Sequence, residues 1–248
     1  MGDLNMSKFY QAMIFDLDGT LLDTLQDLAA STNYALSCMG FPTRTIAEVR
    51  NFVGNGVAKL IERAVPLGTA PEAISETLKI FKAHYAEHCE DTTAPYEGIT
   101  ALLDALLAEG KTIAVVSNKI DSAVSVLCKK YFGDRITLCI GDREGIRKKP
   151  APDSVYEVLR RLHIAKEDAV YIGDSEVDIE TAKNAEMDCV SVTWGFRDMD
   201  VLLDTWGLTN LAWDEKGTLK EGVFYGKGVA YFADSVRELE KILLCREK

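Results

Sequence analysis

An apolar run, Met13-Ile14-Phe15, leads straight into Asp16-Leu17-Asp18-Gly19-Thr20. An apolar run of that kind suits a buried strand, and unpaired carboxylates do not suit the end of one. Taking such a charge out of water costs several kcal/mol or forces a change of protonation. In extended chain, residues two apart point to the same side, roughly 7 Å along the strand. Asp16 and Asp18 can thus face one small volume while Leu17 turns away. Two anions that close need a cation or a shared proton. A strand end running into an Asp-Gly turn fits the same residues, so this stretch alone leaves both readings open.

The residues beyond Thr24 narrow the fold. Residues 25–40 place apolar side chains at helical spacing and stop at Gly40, and further helices are expected over 43–51, 56–65 and 71–90. The block from 23 to about 93 reads as all helix, with no strand candidate. From Tyr96 onward, helices (98–109, 120–131, 152–162, 176–185) alternate with apolar strands (TIAVVSN, ITLCIGD, AVYIGD, DCVSVTW), and GVAYFAD reads as a final strand. Near-continuous apolar strands alternating with helices imply a parallel sheet covered on both faces, an α/β fold. The first strand, placed at 9–15, belongs to that sheet, so the helical block interrupts it. The expected division is 8–22 with 94–248 as the α/β core and 23–93 as the insertion. Residues 205–227 fit the alternation poorly; a hairpin turning at Lys216-Gly217 is the expectation there.

With 248 residues, 47% of them hydrophobic, the chain can bury a sizeable core. Its formal net charge of −11 disfavours nucleic acid or an anionic membrane as the main partner, since both want clustered positive charge. No apolar run reaches membrane-spanning length, and the first fifteen residues lack the basic start and long apolar core of a secretory signal. The six cysteines form no CxxC pair, and several sit in apolar stretches. A reducing cytoplasm is the expected location. Monomer and homodimer both stay open.

Parallel sheets gather polar ligands at the carboxyl ends of their strands. The first strand ends in Asp16-Leu17-Asp18-Gly19-Thr20 and the second in Ser117-Asn118. After the third come Lys148-Lys149-Pro150, and the fourth ends in Gly173-Asp174-Ser175-Glu176-Val177-Asp178. Taken singly, each has an ordinary explanation: Ser117-Asn118 as a helix N-cap, Lys149 as a solvated cation, Gly173-Asp174 as a turn. Gly141-Asp142 also comes after an apolar strand, but lacks the second aspartate that Asp174 has in Asp178. As an ordered set they are the groups needed to hold a divalent cation and a phosphoryl group together.

DLDGT, SN, KP and GDSEVD, in that order, resemble the four motifs of the haloacid dehalogenase superfamily of phosphohydrolases, over residues 9 to 197. The helical block after the first motif is similar to that superfamily's helical cap. The resemblance implies a Rossmann-like core with an inserted all-helical cap and a Mg²⁺-dependent phosphatase acting on a small phosphate ester. Position by position, it implies that Asp16 is the nucleophile that becomes an aspartyl phosphate, and that Asp18 protonates the departing alcohol and then activates water. It implies Mg²⁺ on the Asp16 carboxylate, the Asp18 carbonyl and the Asp174 carboxylate. Ser117 and Lys149 would hold the phosphoryl oxygens, with N–H groups near Leu17, Asp18 and Asn118. Thr20 and Asp178 would stand behind these groups, Asp178 either supporting the metal's waters or orienting Lys149; Lys148 competes with Lys149, which alone precedes Pro150. Such a collection suits the task. Phosphate monoester hydrolysis requires accelerations of up to about 10²¹, whereas one aimed donor supplies only about 2.7–4 kcal/mol.

Within the helical block, Gly54-Asn55-Gly56 precede a helix whose N-terminal amides favour anions, though glycine flexibility at a turn is the simpler local reading. The stretch NFVGNGVAKLIERAV and the later WGF resemble the phosphoglycolate phosphatase group, which makes 2-phosphoglycolate the expected substrate. A solvated-face reading suits Arg50, Lys59 and Arg63 better than contact with a substrate carboxylate. A pyrophosphatase or 5′-nucleotidase, a mutase like β-phosphoglucomutase, and a phospho-receiver signalling module are the rivals. His84 and His88, one helical turn apart, lack a third zinc ligand and read as a polar helix face.

Overall fold

The computed structural model describes residues 9–208, 222–225 and 228–245. Strand β1 (Ala12–Phe15) is fully buried and is followed by the short β2 (Leu22–Asp23). Helices α1 (Leu25–Cys38), α2 (Ile46–Phe52), α3 (Val57–Ala64) and α4 (Pro71–His88) come next, then β3 (Ala94–Pro95). From there the chain alternates: α5 (Ile99–Ala108), β4 (Thr112–Ile120), α6 (Asp121–Phe132), β5 (Leu138–Asp142), α7 (Asp153–Leu162), β6 (Ala169–Gly173), α8 (Glu176–Ala185) and β7 (Asp188–Val192). Helix α9 (Met199–Trp206), β8 (Val223–Tyr225), β9 (Gly228–Ala233) and α10 (Val236–Leu244) complete the described α-helices and strands.

Among the described residues, the main sheet runs in the order β5-β4-β1-β6-β7-β9-β8. All neighbours are parallel except the edge pair β8 and β9. The α/β fold with an inserted helical block is therefore present. β1 lies at the centre, with Phe15 opposite Val115 of β4 and Ile172 of β6. Successive strand residues face opposite sides. Ile14, Ala114, Val116 and Tyr171 share a buried cluster with Val155, Val158 and Leu159 of α7, Ile179 and Ala182 of α8, and Leu202 and Leu203 of α9. Helices α5, α6 and α10 cover the remaining face. The sheet order reverses between β1 and β6, because the chain first builds outward to β4 and β5 and then returns to the far side of β1. That reversal opens a crevice at the strands' carboxyl ends.

Contacts divide the described residues into two compact units, one spanning Leu22–Pro95 and the other made of the residues on either side. The first has its own core, where α1 packs on α4 through Leu28, Leu36, Phe81 and Tyr85, joined by Val49, Leu60 and Ile61. Helix α2 starts on a reciprocal cap: Glu48 N–H donates to Thr45 Oγ1 at 3.2 Å, and Thr45 N–H donates to Glu48 Oε2 at 2.8 Å.

Two expectations need correction. The first strand starts at Ala12, not residue 9, although Gln11 N–H already donates to Asp168 O. The helical block is not free of strands at its ends: Leu22 pairs with Pro95 and Asp23 with Ala94, antiparallel. Two-residue ladders are too short to leave a period in sequence. In the stretch 205–227 that the alternation did not explain, α9 reaches Trp206 and β8 covers Val223–Tyr225; the hairpin turn expected at Lys216-Gly217 lies outside the described residues.

Asp27 was not expected to matter. It is buried on α1 and accepts from both the backbone N–H and the hydroxyl of Thr92 and of Thr93, at 2.6 to 3.2 Å. Burial pushes its carboxyl up, but the four donors outweigh this and hold it below the ordinary carboxylate range. A depressed folded pKa means stability that is complete above the unfolded value and is lost as pH falls through the folded one. Asp27→Ala is expected to cost about 2–4 kcal/mol in urea unfolding near neutral pH, and to remove that part of the acid-induced loss. Wild-type and variant stabilities converging as pH falls below about 4 would be the signature.

Candidate active site

Register brings the site together before any side chain is considered. The residue after Phe15 must emerge beside the ends of β4 and β6, and Asp16 N–H donates to Ile172 O at 2.8 Å. Asp16 is only 8% exposed, while Leu17 points into the core. The chain then turns at Gly19, with φ +88°, where an added Cβ would lie 2.5 Å from an Asp174 oxygen. Only glycine fits on both counts. The turn presents Thr20, whose hydroxyl donates to Asp174 Oδ1 at 3.0 Å.

Lys149 sits at the middle. Its ammonium lies 2.8 Å from Asp16 Oδ1 and 2.7 Å from Asp178 Oδ1, and donates to Tyr171 OH at 3.1 Å. Asn118 clasps the same residue by its backbone: Lys149 N–H donates to Asn118 Oδ1 at 2.9 Å, and Asn118 Nδ2 donates to Lys149 O at 3.0 Å. Lys148 instead turns to Asp142 at 2.7 Å and is about half exposed. That distinguishes the two lysines and accounts for Asp142. Asp178 also accepts from Tyr171 OH at 2.9 Å and from the Ser175 N–H and hydroxyl at 3.1 and 2.6 Å.

Asp174 is held from a direction that sequence reasoning did not supply. Phe196 N–H donates to Asp174 Oδ2 at 2.7 Å, Trp194 Nε1–H donates to Thr20 O at 3.2 Å, and a Cβ on Gly195 would come within 2.3 Å of Asp174 Cβ. Trp194-Gly195-Phe196 is thus a wall built against the acid. Nothing in the local pattern of WGF predicts this, because its partners follow other strands, Asp174 after β6 and Thr20 after β1.

Charge is concentrated here. Burial, then the neighbouring Asp178, push the Asp16 carboxyl well above the usual range, with Lys149 pulling the other way. Burial and Asp178 likewise push Asp174 up to about 7, against the Phe196 N–H and the Thr20 hydroxyl. Burial favours a neutral Lys149, but Asp16 and Asp178 outweigh it and the ammonium is retained above its ordinary pKa. One oxygen from each of Asp16, Asp174 and Asp178 lies within 4.8 Å of the others. An all-oxygen, anionic set suits a hard divalent cation. Each Asp178 oxygen already accepts from two donors, whereas each Asp174 oxygen accepts from one, which leaves Asp16 and Asp174 with more capacity to bind a cation.

Against this geometry the comparisons are specific. Residues 13–192 match the family model described as haloacid dehalogenase-like hydrolase. The chain belongs to the haloacid dehalogenase-like hydrolases. Curated relatives include a phosphoglycolate phosphatase of Pseudomonas putida, 33% identical over 74% of this chain and 70% of the relative. Another, from Neisseria meningitidis, is 34% identical over 77% and 84%. Among solved structures, a Lactobacillus delbrueckii subsp. bulgaricus protein provisionally named a phosphoglycolate phosphatase is 33% identical. It covers 96% of this chain and 100% of its own, with a TM-score of 0.82.

Two further groups lie in the core of this haloacid dehalogenase-like hydrolase. Ser117 is buried at the end of β4, its hydroxyl accepting from Lys119 N–H at 3.2 Å. Lys119, to which the sequence reading gave no role, is buried and places its ammonium 2.9 Å from both Asp18 oxygens. Strand alternation gave no signal for it: β4 continues to Ile120, but its pairing with β5 is irregular between Val116 and Ile120, and Ser117, Asn118 and Lys119 are all buried.

The remaining candidates belong to the Leu22–Pro95 unit. Gly54 and Gly56 have φ of +126° and +82°, Gly56 caps α3, and Asn55 Oδ1 accepts from Arg63 at 2.8 Å. Arg63 also donates to Phe52 O, and Lys59 pairs with Glu62. His84 stacks between Tyr34 and His88, meets Ser31 Oγ at 3.0 Å, and His88 meets Asp91 at 2.8 Å. These rings have helix-surface partners, as the polar-face reading expects. Among the described residues no helix is long and apolar enough to cross a membrane.

Gly195→Ala tests the wall. The added methyl must displace Asp174, so binding of Mg²⁺ or Mn²⁺, followed as a cation-dependent rise in Tm, is expected to weaken by about tenfold or more. Unchanged cation binding would show that the wall does not fix the acid.

Proposed function

We propose that this protein is a Mg²⁺-dependent phosphatase that hydrolyses 2-phosphoglycolate, a small phosphate monoester, through an aspartyl-phosphate intermediate. The observation that carries this reading is the Asp16 carboxylate held 2.8 Å from a buried lysine and grouped with Asp174, at the crevice where strand order reverses. A Rhodobacter sphaeroides structure, CbbY, that is 25% identical and has a TM-score of 0.59 was solved in complex with phosphate. This supports a phosphate-binding use of the fold. The relatives' names support the choice of ester.

In this mechanism an Asp16 oxygen attacks phosphorus while the bond to the ester oxygen breaks. Lys149 and Ser117, with the N–H groups of Leu17, Asp18 and Asn118, hold the phosphoryl oxygens as charge spreads over them. Asp18 gives its proton to the departing alkoxide. A water then attacks phosphorus, its proton passes to Asp18, and the bond between phosphorus and Asp16 breaks. Ester and water become alcohol and phosphate, and both acids are restored. Asp178, tied to Lys149, keeps the ammonium on the attacking side. Mg²⁺ held by the Asp16 and Asp174 carboxylates and the Asp18 carbonyl supplies, when bound, the positive charge that lets two anions approach one another.

Phosphate release over a panel of esters tests the reading. The purified protein is expected to hydrolyse 2-phosphoglycolate with Mg²⁺ at a kcat/KM at least about tenfold above that for nucleoside monophosphates, pyrophosphate or hexose phosphates. A chelator should abolish turnover, and Asp16→Asn should lower it by about a thousandfold or more. Equal rates across the panel would remove the substrate assignment. A fully active Asp16→Asn would remove the mechanism, and accumulation of a sugar bisphosphate would make the protein a mutase.

A further inference from the structure

We infer that Lys119 is a positioning residue for Asp18, fixing the acid that handles the leaving group's proton. The inference rests on the proposed phosphatase reaction and assigns a task that Asp16, Ser117, Lys149 and Asp174 do not cover.

The observations are geometric. Lys119 extends from the end of β4 with its side chain 4% exposed, and its ammonium lies 2.9 Å from both oxygens of Asp18, whose own side chain is 16% exposed. A lysine this deep loses most of its hydration, so it persists only where an anion compensates it. Both donor contacts fall on one carboxylate, and this fixes the plane of the acid as well as its position. The backbone is fixed too, because Lys119 N–H donates to Ser117 Oγ.

Three consecutive residues then carry three tasks. In the proposed reaction Ser117 holds a phosphoryl oxygen, while Asn118 clasps the Lys149 backbone and Lys119 holds Asp18. Proton transfer to a leaving oxygen requires heavy atoms about 2.6–3.2 Å apart. An acid on a flexible turn reaches that geometry only part of the time, and one gripped at both oxygens reaches it from a single starting place. When the proton departs, the ammonium already faces the carboxylate left behind.

Leaving-group dependence separates this role from a merely structural one. The departing alkoxide of 2-phosphoglycolate needs a proton, whereas p-nitrophenolate is stable enough to depart without one. Because kcat/KM reports steps only through the first irreversible one, it isolates leaving-group departure from hydrolysis of the aspartyl phosphate. Lys119→Met is expected to lower kcat/KM for 2-phosphoglycolate by about tenfold or more beyond its effect on p-nitrophenyl phosphate, a fraction of the 10²–10⁴ of general acid catalysis. Lys119→Arg, which keeps a charged donor pair, should restore part of that ratio. In an Asp18→Asn background, Lys119→Met should leave the ratio unchanged. If the methionine variant does not fold, Lys119→Gln reads the same ratio. Parallel losses for the two esters, or none, in variants of an enzyme whose wild type hydrolyses both would overturn the role of Lys119 and leave the phosphatase reading standing. A wild type that hydrolyses neither ester would overturn both.

Discussion

Three carboxylates packed against one lysine is the constraint to which the rest of the core answers. Asp16, Asp174 and Asp178 are each at most 8% exposed, and like charges that close in a poorly hydrated place repel strongly. Lys149 neutralises two of them directly, and fixed donors from Tyr171, Ser175, Thr20 and Phe196 satisfy their oxygens. The acids occupy so much of the local volume that glycine is required around them. A Cβ at Gly19 or Gly195 would strike Asp174, and one at Gly173 would strike Asp178. Three glycines from three strand ends thus serve one purpose, which is room for side chains whose geometry is set before any ligand arrives.

The sheet makes the concentration possible. β1 lies between β4 and β6, so residues more than a hundred positions apart emerge at neighbouring strand ends. This part was legible in sequence. The apolar strands, the polar group ending each, and the second acid in GDSEVD are all local signals. Choosing between Lys148 and Lys149 needed the resemblance; the structure supplies the physical reason, since Lys148 is drawn to Asp142 on the surface. Gly141-Asp142, the strand end that imitates an acidic motif, is likewise used up locally, with Gly141 N–H bound to Asp121.

The features that sequence did not show share one property: the partner lies across the fold. Trp194, Gly195 and Phe196 come after β7, yet their contacts are with the loop after β1 and with the end of β6. Asp27 sits on a helix whose sequence looks half polar, and its partners are more than sixty residues away. The ladder joining Leu22 to Pro95 is too brief to give a period. The helices of the inserted unit, by contrast, were legible to within a few residues. Amphipathic spacing, Gly40 past the end of α1 and the Thr45/Glu48 pair at the start of α2 are all local devices.

The same geometry accounts for the two aspartates that begin the chain's chemistry. Asp16 and Asp18 do not meet the same lysine. Instead each meets a lysine of its own: Asp16 faces Lys149, from the loop after β5, and Asp18 faces Lys119, at the end of β4. Their surroundings also differ. Asp16 is enclosed with two further acids, whereas Asp18 keeps part of its side chain in contact with solvent. In the proposed reaction, the acid that forms a bond to phosphorus benefits from enclosure, which removes competing water and strengthens every nearby charge. One that exchanges protons with an alcohol and then with water needs access to both. Spacing by a single leucine, with two separate cations waiting, allows one strand end to provide both environments.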